Sequence, residues 1–189
     1  NIDEPFCPDD KIKIRIKACS INHLDIWVRN GIPGMNLPLP LILGSDASGI
    51  VVEIGNKVKS DIRMDDEVII QPGTYDKDCK MAKIGKENFS KTYGILGETE
   101  SGLQAEYVIL NPLNVYKKPS ILSFVESASM PLVFMTSYQM LIERAKLQEN
   151  EIVLVYGATS GVGMAAIQIA KDIGAKIIAT VGNQNKIKY

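Results

Sequence analysis

Val153-Leu154-Val155-Tyr156-Gly157-Ala158-Thr159-Ser160-Gly161-Val162-Gly163 runs into Met164-Ala165-Ala166-Ile167-Gln168-Ile169-Ala170-Lys171, and this stretch decides the fold. It reads as an apolar strand, a glycine-rich turn, and a helix that opens directly from the turn. Glycines let the backbone approach a pyrophosphate, and the first turn of a helix offers unpaired N–H groups and a positive dipole end. A second strand, Lys176-Ile177-Ile178-Ala179-Thr180-Val181, follows the helix. Strand 151–156, the helix from Gly161 and strand 176–181 therefore make one βαβ unit of about 30 residues, with parallel strands and a right-handed crossover. A merely structural glycine turn is the competing reading. The spacing lacks the Gly-Lys-Ser/Thr of a P-loop, which disfavours nucleoside triphosphate hydrolysis. A dinucleotide fold uses about five or six strands. Only two fit between residue 151 and Tyr189, so the chain is expected to be cut partway through its cofactor domain.

The end of the second strand selects between cofactors. A carboxylate there bonds the ribose 2′-hydroxyl of NAD and repels a 2′-phosphate. The sequence instead places Gly182 and Asn183 there, with Lys186 and Lys188 just beyond. NADP is therefore the expected guest and NAD the alternative. The lysines also have a plainer reading, as the solvated face of a helix.

Upstream, Lys11 to Cys19 alternates polar and apolar residues with period two, a half-buried strand with its isoleucines on one face. Residues 48–55, 66–71 and 104–110 read as further strands, bounded by Gly, Asp or Pro. Prolines 33, 38, 40 and 72 punctuate an irregular, all-β first part. The character changes after Pro119. Ser123 and Glu126 have capping-box spacing and start a helix. A second helix is expected from about Phe134 to Lys146, with Leu132, Met135, Tyr138, Met140, Leu141 and Ala145 as its apolar face.

Composition excludes several classes of function. A net charge of −1, with 21 Lys and Arg spread along the chain, leaves no basic field for nucleic acid. No apolar run approaches the roughly 20 residues of a membrane span. The N-terminus carries no basic-then-apolar signal pattern and reads as an internal start. Three widely spaced cysteines, Cys7, Cys19 and Cys79, argue against a disulfide framework and fit a reducing cytoplasm.

Five further segments join the glycine turn: residues 18–25, 43–49, 93–97, 104–107 and 130–138. Their content and order resemble the medium-chain dehydrogenase/reductase superfamily of zinc alcohol dehydrogenases and quinone reductases. The resemblance implies an α+β then α/β architecture. A GroES-like β domain over residues 1–122 would be followed by the first βαβ unit of a truncated Rossmann domain over 123–189. It also implies a small-molecule carbonyl or quinone substrate and a full-length form that is a homo-oligomer.

The departures from the family pattern are informative. The three catalytic-zinc positions match Asn22, Ser45 and Leu132, and the proton-relay hydroxyl matches Leu24. Catalytic zinc asks for about three protein ligands, so no metal site is expected. Segment 76–90 has the spacing of a four-cysteine zinc lobe but holds Asp76, Cys79, Ala82 and Ser90 at its four positions. It reads as a lobe that has lost its metal, serving a subunit contact or forming a loop.

Without zinc, hydrogen-bond donors must stabilise the charge that develops on the acceptor oxygen. The resemblance makes Asn22 the expected donor and places Thr136 at the nicotinamide carboxamide, with Tyr138 a possible neighbour. The cofactor-binding residues expected are Gly157, Ala158, Ser160, Gly161, Val162, Gly163, Gly182, Asn183 and Lys186. His23 is the only histidine and is expected to bond Asp25 locally in a turn, rather than to act in acid–base chemistry. Asp46 is expected to hold hydrogen bonds, and Trp27 to pack or line a substrate pocket.

The reading that results is a zinc-independent, NAD(P)H-dependent oxidoreductase passing hydride to a quinone, an α,β-unsaturated carbonyl or an aldehyde. The alternatives are a zinc-type alcohol dehydrogenase with an atypical metal site and a non-enzymatic nucleotide-binding sensor on the same fold.

Overall fold

The structure is a computed structural model that describes residues 2–188. The chain divides into two units, residues 1–131 and 132–189.

The first unit is built on a five-stranded antiparallel sheet in the order β6-β1-β2-β3-β7. Its strands are β1 (Ile12–Cys19), β2 (Ala47–Ile54), β3 (Glu67–Ile70), β6 (Tyr107–Leu110) and β7 (Val115–Lys117). A separate two-stranded pair joins β4 (Gly73–Thr74) to β5 (Gly94–Ile95). The isoleucine face of β1 is packed as read, although Lys13 between Ile12 and Ile14 is buried as well. Ile12 and Ile14 are fully buried, with Val51, Val68, Ile70 and Leu103, while Ile16 packs at the margin of the same cluster.

This unit is not all-β. Helix α1 (His23–Asn30) follows Asn22, whose backbone N–H is held by the Asp25 carboxylate at 2.7 Å. It buries Val28 and ends where Gly31 takes a φ of 84°. Glycine tolerates that positive φ without strain. A short helix α2 (Lys80–Lys83) is capped by Cys79.

Helix α3 (Phe124–Ala128) begins with the expected capping box between Ser123 and Glu126. It belongs to the first unit, not the second. Ser48 donates to the Phe124 carbonyl at 2.6 Å, and α3 packs against β1, β2 and β3. The division at 131/132 therefore lies beyond the 122/123 boundary expected from sequence.

In the second unit, helix α4 (Pro131–Tyr138, entering from the first unit by its proline) continues into a π-helical segment, Gln139–Arg144. Strand β8 (Ile152–Val155) leads through the glycine turn into helix α5 (Gly161–Ile173), then to β9 (Lys176–Ala179). β8 and β9 pair in parallel, Ile152 with Lys176 through to Val155 with Ala179. This is the βαβ unit read from the sequence.

One face of the β8–β9 pair turns Val153 and Ile177 toward a core of Leu141, Ala166 and Ala170. The other face leaves Ile152, Leu154, Tyr156 and Ile178 exposed. Of the apolar face expected on residues 134–146, Leu141 is buried as read, and the remainder is corrected. Met135, Tyr138 and Met140 are exposed, and the packed line is Val133, Ser137 and Leu141, at the four-residue spacing of one helix face. No helix among the described residues is long and apolar enough to cross a membrane.

Candidate functional site

Asn22 stands at the start of α1, half-buried, and its side-chain nitrogen donates to the Asp46 carboxylate at 2.8 Å. Asp46 is fully buried and also accepts the Ser20 hydroxyl at 3.2 Å. Asp25, 3 % exposed, takes the backbone N–H of Asn22 on one oxygen and that of Gly44, at 3.1 Å, on the other. Two buried carboxylates thus pin Asn22 by its backbone and by its amide. An amide nitrogen carries two hydrogens, and the bond to Asp46 uses one of them.

The His23–Asp25 bond expected from the sequence is not formed; Asp25 accepts the backbone N–H groups of Asn22 and Gly44. His23 instead opens α1 with its ring 5.0 Å from that of Trp27. Trp27 is 55 % exposed and is not core packing.

Ser45, at the second of the zinc-ligand positions, is fully buried, and its hydroxyl has no hydrogen-bond partner among the described residues. An amide engaged with a carboxylate, a serine hydroxyl and a leucine are poor or impossible zinc ligands. The donor set does not fit a catalytic zinc.

The zinc-lobe segment is tied together by hydrogen bonds. The Cys79 thiol donates to the Ser90 hydroxyl at 3.4 Å and receives the Ala82 N–H at 3.3 Å. Ser90 in turn meets Thr92 at 2.8 Å, and an Asp76 oxygen accepts the N–H of Asp78 at 2.9 Å. The Ser90 hydroxyl, followed by the Ala82 N–H, holds the Cys79 thiol below its ordinary pKa.

In the second unit, the glycine turn is built as a cradle. Gly157 has a φ of 66° with nothing but the Ser160 hydroxyl near a would-be Cβ, so its conformation demands glycine. At Gly163 a Cβ would lie 2.4 Å from the Gly157 carbonyl oxygen, so this glycine lets the helix close onto the turn. At Gly161 a Cβ would meet Val133 at 2.9 Å. Ala158 is buried and its N–H reaches the Thr180 carbonyl at 2.9 Å, tying the turn to the end of β9.

Ser160 caps α5, its hydroxyl accepting the Gly163 N–H at 3.0 Å. Among the described residues, no acceptor meets the N–H groups of Gly161 and Val162. Those two donors, on a thirteen-residue helix, are where an anion would be received.

A pocket of about 330 Å³ lies alongside, lined by Ala158, Thr159, Met164, Gln168, Val181 and Lys186 among others. The structure therefore brings Ala158 and Lys186 to one cavity, and no lining residue is acidic. Gly182 and Asn183 are exposed beside it, with open space around Gly182. Thr136 is exposed on α4, its hydroxyl donating to the Leu132 carbonyl at 2.7 Å. Tyr138 is half-exposed.

Sequence reasoning missed Ser137, Val133 and the apolar wall of the pocket. The spacing of 133, 137 and 141 carried the signal, but a serine in that line hid it.

Comparison with known proteins places these features in context. The family model for the alcohol dehydrogenase GroES-like domain matches residues 8–120. The human quinone oxidoreductase is 30 % identical over 184 residues, covering 97 % of this chain and 48 % of the relative. The crotonyl-CoA carboxylase/reductase of Cereibacter sphaeroides is 33 % identical over 193 residues, covering 98 % and 44 %. A solved structure described as an NAD-dependent alcohol dehydrogenase superposes with a TM-score of 0.94 at 42 % identity, covering all of this chain and 55 % of its own. The chain spans about half the length of the curated relatives it matches.

Proposed function

This chain belongs to the alcohol dehydrogenase GroES-like family, in the medium-chain dehydrogenase/reductase superfamily, and from that premise we propose a zinc-independent, NADPH-dependent reductase of quinones or α,β-unsaturated carbonyls. The second unit is then the opening βαβ of a Rossmann domain. The single observation that carries the reading is the pair of unclaimed N–H groups at Gly161 and Val162, beside a pocket whose only charged wall is Lys186.

When bound, the nicotinamide supplies hydride from C4. Gly161 and Val162 would hold the pyrophosphate with their N–H groups, and Gly157 and Gly163 would let the backbone come close enough to do so. Lys186 would place positive charge at the ribose end, and Gly182 and Asn183 would leave room for a 2′-phosphate. Thr136, whose hydroxyl donates its hydrogen bond to the Leu132 carbonyl, would accept from the carboxamide. Asn22 would give its second amide hydrogen to the acceptor oxygen, where negative charge develops. One neutral donor suits an acceptor whose charge is delocalised, as in quinones and enals.

The names of two relatives, a quinone oxidoreductase and a crotonyl-CoA carboxylase/reductase, support this substrate class. The 42 %-identical structure, described as an NAD-dependent alcohol dehydrogenase, favours a second reading with NAD and an alcohol.

The test is consumption of NADPH and NADH by the complete protein against a panel of quinones, enals and simple ketones. NADPH-driven reduction of quinones or enals supports the proposal, and preferential NADH-linked alcohol chemistry supports the second reading. Cofactor binding without turnover on any acceptor supports a sensor.

A further inference from the structure

We infer that helix α4 is the positioning element of the dinucleotide site, with Ser137 and Val133 setting where the first turn of α5 stands relative to Thr136. The inference rests on the dinucleotide reading above and adds two residues to it.

Ser137 is fully buried, and its hydroxyl donates to the Val162 carbonyl at 3.0 Å. A buried hydroxyl costs stability unless it is bonded, and this one is bonded to the second residue of α5. Val133, one turn earlier on the same face, lies where a side chain on Gly161 would have to go. The two α5 residues met by Val133 and Ser137 are thus the two whose N–H groups have no acceptor among the described residues. One turn further on, Leu141 packs against Ala166 and Ala170, so the contact continues along α5.

Thr136 precedes Ser137 and points outward while Ser137 is buried. A single turn of α4 therefore carries the carboxamide acceptor on one side and the brace of the pyrophosphate donors on the other. Gly161 is glycine because Val133 needs the space. Ser137 and Val133 are positioning residues, since neither need touch the cofactor.

The experiment uses the complete protein, with NADPH affinity read by nicotinamide fluorescence and turnover read on an acceptor the unaltered protein reduces. Gly161→Ala should weaken NADPH binding about tenfold, well inside the roughly hundredfold that a 1 Å misplacement can cost. Adding Val133→Ala should restore most of that loss, a coupling that two independent sites would not show. Ser137→Ala should raise the KM for NADPH and lower kcat while leaving the KM for the acceptor unchanged. Ser137→Cys, which keeps a weak donor, should fall between the two.

Additive losses in the double variant would overturn the inference. So would a Ser137→Ala protein that melts earlier but keeps its kinetic constants. Failure of the unaltered protein to bind either NADPH or NADH would overturn the dinucleotide reading itself, and this inference with it.

Discussion

The amide of Asn22 is held by the buried carboxylate of Asp46 at 2.8 Å. That bond fixes which way the amide faces, because a carboxylate accepts only from the nitrogen end. It presents the remaining N–H as a donor. Asp46→Ala removes the acceptor of both Asn22 and Ser20. The expected loss is about 1.5–3 kcal/mol, the scale of a hydrogen bond to a charged group. A urea unfolding midpoint equal to that of the unaltered protein would contradict the role given to Asp46.

Asn22→Ala should lower kcat by about a hundredfold, the scale of losing one preorganised donor to an oxyanion. NADPH affinity should barely change, because the substitution leaves the Gly161 and Val162 N–H groups that receive the pyrophosphate untouched. Steady-state kinetics with a quinone acceptor separate the two quantities.

The glycines of the second unit should differ sharply in tolerance. Gly163→Ala forces a methyl to within 2.4 Å of the Gly157 carbonyl oxygen. The expected cost is about 1–3 kcal/mol of overpacking, together with loss of NADPH binding. Gly182→Ala meets nothing within 4 Å and should change stability by no more than about 0.5 kcal/mol. Thermal denaturation and a dinucleotide titration of both variants check the contrast.

The three thiols should react with iodoacetamide in a set order. Cys79 is partly exposed with its pKa lowered, Cys19 is exposed with its pKa raised by burial of the sulfur, and Cys7 is buried with its pKa raised. A lowered pKa means more thiolate at a given pH, and the thiolate is the nucleophile. Cys79 should therefore be modified first near pH 8, and Ser90→Ala should slow it by removing the main cause of the shift. Mass spectrometry of partially alkylated protein gives the order directly, and prior modification of Cys19 would contradict it.

The 189-residue chain on its own should self-associate through the β8–β9 face. Ile152, Leu154, Tyr156 and Ile178 are exposed there, and parallel strands are normally covered on both faces. Sedimentation should show association that Ile178→Lys weakens. A monomer at every concentration would count against this.

Much of this was legible in the sequence because local rules agreed with tertiary packing. The alternating isoleucines of β1, the Ser123–Glu126 capping box and the strand–turn–helix around Gly161 each combine propensity, patterning and turn chemistry in one direction. Helix α1 was hidden because its eight residues bury only Asp25 and Val28, leaving no apolar stripe to read. The packed face of α4 was hidden for the opposite reason. Exposed Met135, Tyr138 and Met140 made a more convincing hydrophobic pattern than the true line through Ser137. The role of Asp25 was out of reach, since its second partner, Gly44, is nineteen residues away.

The central claim is hydride transfer without a metal, and the most direct measurement is NADPH oxidation by the complete protein after exhaustive chelation. Metal-free protein should reduce quinones or enals at the rate of the untreated protein, and added zinc should bring no gain. Loss of activity on chelation, with recovery on adding about one zinc per chain as a three-ligand catalytic site would bind, would contradict it.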